Sequence, residues 1–156
     1  MKLDKTDLRL LEELQRDSSQ SQRSLADKIN LSQNACWRRM KALENAGVIR
    51  QHTVILDRDL LGASLVVFVM IRTRHHSTQW LTRFSEHVSS IPEVVDFFRI
   101  GGDYDYMLKV VTQDMNSYDT VYRRLISTVE LDTVTSFFAM EAIEEQRPIA
   151  LSKSNR

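Results

Sequence analysis

The first 47 residues contain three short segments of helical periodicity, and a turn of only two residues separates the second segment from the third. Asp4, Ser21 and Ser32 each precede one segment, and these residue types favour the N-cap position of a helix. Gly47 follows the third segment, where a helix end favours a left-handed residue. The predicted helices span residues 3–17, 21–29 and 32–46. Three helices in so few residues, with a short turn before the third, predict a helix-turn-helix.

A change of pattern after the third segment predicts a second domain. Residues 48–56 alternate enough to predict one or two short strands, either a wing beside the third helix or a strand that leads onward. Residues 57–62 form a polar stretch that ends in glycine, which is typical of a domain boundary. We therefore predict a helix-turn-helix domain over 1–57, a linker over 58–62, a second domain over 63–146 and a tail over 147–156.

The second domain combines apolar runs typical of strands with amphipathic helical segments. Strands are predicted over 63–73, 94–100, 106–112 and 134–140, and helices over 77–90 and 115–129. The order β-α-β-β-α-β is that of the ferredoxin-like fold, in which both helices cover one face of an antiparallel sheet. The other face needs a cover, and a second copy of the chain is the simplest candidate. The predicted fold class is α+β, a winged helix-turn-helix followed by a ferredoxin-like domain.

The total charge is zero, but the charge is distributed unevenly between the two predicted domains. Residues 1–56 carry ten basic and seven acidic side chains, whereas residues 57–156 carry eleven and fourteen. A basic N-terminal part permits binding to nucleic acid, although so small an excess does not establish it.

The sequence favours a cytoplasmic protein that does not contact a membrane. Its longest apolar run, Leu65–Ile71, is far shorter than the roughly 18 residues that a membrane span requires. The N-terminus has no apolar signal-peptide core, and the single cysteine suits a reducing compartment.

The third predicted helix has one apolar and one polar face. On a wheel that advances about 100° per residue, Cys36, Met40 and Leu43 fall together and face inward. This position predicts that Cys36 is a small buried side chain rather than a redox switch. The opposite side is polar and holds Asn34, Arg38, Lys41 and Asn45, with Trp37 at its flank.

The polar face predicts a helix that reads DNA in the major groove, where arginine pairs with guanine and asparagine with adenine. Nearby cations would bind phosphates, which give affinity rather than sequence choice. The predicted contacts are Arg23, Lys28, Ser32, Gln33, Asn34, Trp37, Arg38, Lys41 and Arg50. The alternative is an ordinary solvated helix face, but the capped helix and the short turn before it favour DNA binding.

Three motifs, in order along the chain, resemble the Lrp/AsnC family, also called leucine-responsive or feast–famine regulators. They are the run Leu3–Leu11, the run Leu31–Ile49 and the block Gly-Gly-Asp-Tyr-Asp-Tyr at 101–106. The resemblance covers residues 3 to about 146. Gln33 and Ala35 stand where many family members have proline near the start of the recognition helix, so helix entry and base choice are expected to differ.

The resemblance implies partners and an effector site. Family members form homodimers through the βαββαβ domain, assemble further into tetramers or octamers, and bind free amino acids between dimers. The implied site residues are Gly101, Gly102, Asp103, Tyr104, Asp105, Thr135 and Ser136. Glycine N–H groups suit a ligand carboxylate, and an aspartate suits its ammonium group. The alternative is a plain hairpin turn, since glycine and aspartate are ordinary turn residues.

These observations predict a sequence-specific DNA-binding transcription regulator that responds to a small molecule, an amino acid by the resemblance. The rival function is an amino-acid-binding assembly module with little sequence-specific DNA binding. An enzyme is disfavoured because neighbouring His75 and His76 on a strand would point to opposite faces, and Asp103 and Asp105 have no evident base or nucleophile partner. No cofactor, metal or catalytic residue is predicted.

Overall fold

The computed structural model describes residues 2–151 and contains two compact units. Within the described chain, one unit comprises residues 2–55 together with 144–151, and the other comprises residues 56–143. None of the helices in these residues combines the length and the apolar character that crossing a bilayer requires.

The first unit contains three helices, and each is started by a capping side chain. Asp4, Ser21 and Ser32 each accept a hydrogen bond from a backbone N–H of the turn that follows, which confirms the predicted N-caps. Asp4 and Asp7 form a reciprocal capping box. The helices are α1 Lys5–Arg16, α2 Gln22–Lys28 and α3 Gln33–Asn45.

Two left-handed residues set the ends of α2 and α3. Asn30 has a φ of 56° in the turn between these helices, and Gly47 has a φ of 72° after α3. The glycine N–H donates to the Glu44 carbonyl and the next N–H to the Leu43 carbonyl, the hydrogen bonds of a Schellman motif. The three helices enclose a core of Leu10, Leu11, Leu25, Ala26, Ile29, Cys36 and Leu43.

The strands predicted within residues 48–56 are absent. Val54, Ile55 and Leu56 are 75%, 69% and 60% exposed. A strand needs a neighbouring strand that satisfies its N–H and C=O groups, and no part of the described chain pairs with this segment. The alternating sequence therefore shows strand propensity without a partner.

The second unit has the predicted β-α-β-β-α-β order. Its sheet runs β2-β3-β1-β4 with antiparallel neighbours throughout, which confirms the α+β, ferredoxin-like prediction. The elements are β1 Leu65–Arg72, α4 Thr78–Ser89, β2 Val94–Arg99, β3 Tyr106–Thr112, α5 Met115–Ile126 and β4 Thr133–Phe138.

Two elements of this unit end two or more residues earlier than predicted. Helix α5 stops at Ile126. The Ser127 hydroxyl donates to the Arg124 carbonyl at 2.8 Å, in place of the backbone N–H that would bond to this carbonyl if the helix continued. Strand β4 stops at Phe138, although the Ala139 N–H still donates to the Val66 carbonyl of β1 at 3.0 Å.

The two faces of the sheet differ because side chains alternate along each strand. Val67, Val69 and Ile71 of β1 are fully buried and form one core with Leu108 and Phe84. The intervening positions of β1 and the residues paired with them point to the other face. That open face is rich in large apolar side chains, namely Phe68, Met70, Phe98, Met107 and Phe137.

Candidate DNA-binding surface and effector site

Helix α3 is anchored by one side and exposed on the other. Cys36 and Leu43 are buried in the core, which places the adjoining face of the helix outward. Gln33, Asn34 and Arg38 are exposed on that face, and Trp37 beside them is 45% exposed. The first two turns of α3 therefore present amide and guanidinium groups together with an indole ring to solvent.

Three of the predicted contacts have additional roles within the first unit. The Ser32 hydroxyl accepts a hydrogen bond from the Ala35 N–H at 3.3 Å, so it caps the helix. Lys28 lies 3.4 Å from the Glu13 carboxylate. The Lys41 ammonium donates to the Glu44 carboxylate at 2.6 Å, and His52 lies 3.1 Å from the other oxygen of the same carboxylate. The hydrogen bond from Lys41, followed by the contact with His52, lowers the pKa of Glu44.

Arg23 and Arg50 flank the exposed face of α3 along the chain. Arg23 is exposed in α2, and Arg50 is exposed five residues beyond the end of α3. Neither forms an ion pair with another described residue. Both guanidinium groups are therefore accessible to an anion.

Arg39 connects α3 to the start of α1, a role that the sequence pattern did not reveal. Its Nη1 donates to one carboxylate oxygen of Asp4 and one of Asp7, each at 2.7 Å. These two hydrogen bonds, the one to Asp7 first, raise the pKa of the guanidinium. The Asp4-x-x-Asp7 capping pattern was visible in the sequence, but it did not identify Arg39 as the partner.

The Gly101–Asp105 loop joins β2 to β3 and is held by its last residue. The Asp105 carboxylate accepts a hydrogen bond from the Thr73 N–H at 2.9 Å, and its backbone bonds to Ile71 and Ile100 at 2.8 Å. Gly101, Gly102 and Asp103 are exposed, and Gly102 has a φ of 124°, which a side chain would strain. Asp103 is thus presented to solvent, whereas Asp105 stabilises the loop.

Of the predicted effector residues on β4, one meets the loop and the other does not. The Tyr104 hydroxyl donates to the Thr135 hydroxyl at 3.2 Å, so the loop and β4 meet on the open face of the sheet. Ser136 points to the opposite face, where it hydrogen-bonds with the hydroxyl of Tyr118. Burial raises the pKa of Tyr118, which therefore stays protonated and able to donate at neutral pH.

The remaining titratable candidates are a buried thiol and a histidine that contacts neighbouring side chains. Cys36 is 1% exposed, and burial raises the pKa of its thiol. His75 lies 3.5 Å from Glu130 and stacks against Trp80. No group of three or more potential metal ligands occurs among the described residues.

Comparison with known families matches both units of the fold. Residues 3–50 match a winged helix-turn-helix DNA-binding family, and residues 66–149 match the Lrp/AsnC ligand-binding domain. The architecture is thus that of a DNA-binding transcription regulator with a ligand-binding domain. The chain belongs to the Lrp/AsnC family, as the sequence motifs predicted.

Individual relatives agree with this assignment along nearly the whole chain. The DNA-binding transcriptional activator DecR of Escherichia coli is 44% identical over 143 residues, which cover 91% of this chain and 94% of DecR. An AsnC family regulator from Agrobacterium tumefaciens has a crystal structure with a TM-score of 0.88 and 46% identity, covering 92% of this chain and 94% of that one. A Neisseria meningitidis regulator, solved in complex with L-Met, has a TM-score of 0.88 and 30% identity, with 95% and 96% covered.

Proposed function

We propose that α3 reads base edges of double-stranded DNA and that the cations around it bind phosphates. The observation that carries this proposal is the exposed row on α3, formed by Gln33, Asn34, Trp37 and Arg38 while Cys36 holds the helix in the core. Arginine and asparagine or glutamine recognise guanine and adenine through paired hydrogen bonds. The phosphate contacts come from Arg23, Lys28, Lys41 and Arg50. Ser32 caps the start of α3 and thereby positions the helix.

The open face of the sheet supports a homodimer. Phe98 and Phe137 are 51% and 53% exposed there, and large apolar side chains concentrated on one face mark an interaction surface. A twofold dimer would place two α3 helices in successive major grooves of a pseudo-palindromic site. Further assembly into tetramers or octamers would raise the avidity for multiple sites. Substitution Phe137→Lys should shift the sedimentation of the protein toward the monomer.

We propose an amino acid as the effector, bound by Gly101, Gly102, Asp103, Tyr104 and Asp105 with Thr135 of β4, whereas Ser136, which bonds to Tyr118 on the opposite face, is left out of the proposed site. The L-Met complex of the Neisseria meningitidis regulator supports this ligand class. The exposed Asp103 offers a partner for the ammonium group, and the glycine N–H groups suit the carboxylate. An effector bound between dimers changes DNA binding to the extent that it binds one assembly more tightly than another.

These assignments place DNA binding in residues 1–57 and effector binding and assembly in residues 63–146. They describe a binding protein of the cytoplasm rather than an enzyme. The rival function is an assembly module without sequence-specific DNA binding. It predicts instead that substitutions on α3 leave the DNA affinity of the protein unchanged.

The DNA assignment is tested by selecting binding sites from random DNA and measuring affinity by fluorescence anisotropy. Arg38→Ala and Lys41→Ala together should weaken binding to the selected site at least tenfold. Arg83→Ala, an exposed arginine on α4, is the matched control and should leave the affinity unchanged. Equal binding by the double variant would refute the assignment of the α3 face, and absence of any selected site would favour the rival function.

The effector assignment is tested by thermal unfolding with each of the twenty amino acids. A ligand at about 100 times its dissociation constant adds about 2.7 kcal/mol to the folded state. The stabilisation should disappear in Asp103→Ala and persist in Asp27→Ala, which removes an exposed carboxylate from the other unit. A response that survives Asp103→Ala would place the effector elsewhere.

A further inference from the structure

The side chain of Gln15 in α1 binds the backbone of Ile149, 134 residues further along the chain. Its Nε2 donates to the Ile149 carbonyl at 3.0 Å, and its Oε1 accepts from the Ile149 N–H at 2.8 Å. A side-chain amide thus satisfies both backbone groups of one residue, as a neighbouring strand would. Gln15 binds the backbone of Ile149 and not its side chain, because Ile149 is 75% exposed.

A second contact two residues further fixes the same segment. Leu151 packs against the core that also contains Cys36 and Leu43 of α3. Residues 148–151, here called the strap, line a shallow depression together with Glu12, Gln15 and Arg16. Pro148 restricts the backbone at the start of the strap, which reduces the entropy lost on docking.

The strap bears on DNA binding through α1 and the shared core. The C-terminal half of α1 receives the hydrogen bonds from the strap, and its N-terminal end receives Arg39 of α3. Leu151 extends the core that positions α3 from within. Residues 139–147 join the strap to β4, so the first unit is connected to the ligand-binding domain by a second segment of chain besides the one after α3.

We propose that Gln15 is a positioning residue for DNA binding: it docks the strap onto α1 and thereby holds the recognition helix in its DNA-binding position. This inference rests on the proposed role of α3. Gln15 does not contact DNA, and its effect passes through Ile149, Leu151 and the core of the first unit. Release of the strap weakens DNA binding without removing any DNA contact.

The test compares Gln15→Ala with Gln22→Ala, the same substitution at an exposed position of α2. Alanine favours helix at least as well as glutamine, so a loss in the first variant comes from the strap contact. Hydrogen exchange of the C-terminal peptide should be about five- to a hundredfold faster in Gln15→Ala, as expected for two lost hydrogen bonds. Affinity for the selected DNA site should fall at least threefold, while Gln22→Ala matches the unsubstituted protein in both measurements.

A second variant, Ile149→Pro, removes the N–H donor from the strap without altering α1. It should reproduce both effects, with helix content by circular dichroism unchanged. Unaltered exchange in Gln15→Ala would show that the strap is not docked in solution and would overturn the inference. Faster exchange with DNA affinity within twofold of the unsubstituted protein would overturn the positioning role. Failure of the unsubstituted protein to bind any DNA is a different result, because it refutes the role of α3 itself.

Discussion

Replacement of Arg39 by methionine should destabilise the first unit without removing a DNA contact. Arg39 is the only described side chain that forms ion pairs with both Asp4 and Asp7. The Asp7 side chain is 8% exposed, so loss of the guanidinium leaves a nearly buried carboxylate with the Asp4 N–H as its remaining polar partner. Methionine retains most of the aliphatic volume, which separates the loss of charge from a loss of packing.

The expected magnitude follows from the burial of the pair. Exposed ion pairs contribute about 0–1 kcal/mol, whereas removal of one partner from a fully buried pair costs about 3–5 kcal/mol. Arg39 is 35% exposed and its partner Asp7 is 8% exposed, so this pair lies between the two limits. We expect a loss of about 1–3 kcal/mol, and a unit of this size shifts its unfolding temperature by about 4–8 °C for each kcal/mol.

The assay follows the first unit alone. The chain has two tryptophans, and Trp80→Phe leaves Trp37 on α3 as the single indole fluorophore for urea unfolding. In that background Arg38→Met is the matched control, because the neighbouring arginine is exposed. Arg38→Met should retain stability and lose about 1–3 kcal/mol of DNA binding, whereas Arg39→Met loses stability. Equal urea unfolding midpoints for the two variants would refute the distinction between Arg39, which stabilises the unit, and Arg38, which contacts DNA.

Three further predictions concern charges and the thiol. Glu44→Gln releases Lys41 from its ion pair, so DNA binding should tighten. Its salt dependence, measured by anisotropy at several salt concentrations, should steepen by about one phosphate contact. An unchanged slope would contradict this. Burial raises the pKa of Cys36, so a thiol reagent should modify it only after unfolding; rapid labelling of the folded protein would show that the thiol is accessible. The hydrogen bond from Arg72 lowers the pKa of Asp132 below its ordinary value of 3.8. The resulting stability is present above that value and disappears as the pH falls through the lowered pKa. The free energy of unfolding of Asp132→Asn, measured at several pH values, should therefore depend less on pH in this range than that of the unsubstituted protein.

The helix starts and the strand order could be predicted because their causes are local. An N-cap such as Ser32 acts on N–H groups two or three residues away, and period-two alternation decides which β1 residues enter the core. The strands within 48–56 could not be judged in this way. A strand depends on a partner, and the sequence of one segment does not reveal whether another segment will pair with it.

The candidate site shows the same division between local and distant causes. The wheel placed Cys36 inside and Arg38 outside, and the structure agrees. The ion pairs of Arg39 with Asp4 and Asp7 join residues more than thirty positions apart, which no local pattern contains. Thr135 and Ser136 were both implied as effector residues by resemblance, yet the alternation of a strand already requires neighbours to point to opposite faces.

The ion pairs of the first unit explain why a single copy of it should bind DNA weakly. Lys28, Arg39 and Lys41 are all held by carboxylates, so three of its basic side chains are partly neutralised before DNA arrives. Of the proposed phosphate contacts, Arg23 and Arg50 form no ion pair with a described residue, and two phosphate contacts correspond to a salt slope of only about −1.8. Binding with useful affinity at physiological salt then requires two or more units on one DNA molecule, because avidity multiplies weak individual contacts. The proposed dimerisation through the open face of the sheet would then be a condition for DNA binding and not an addition to it. A variant with a disrupted sheet face, such as Phe137→Lys, should lose most of its DNA affinity although its α3 surface is intact.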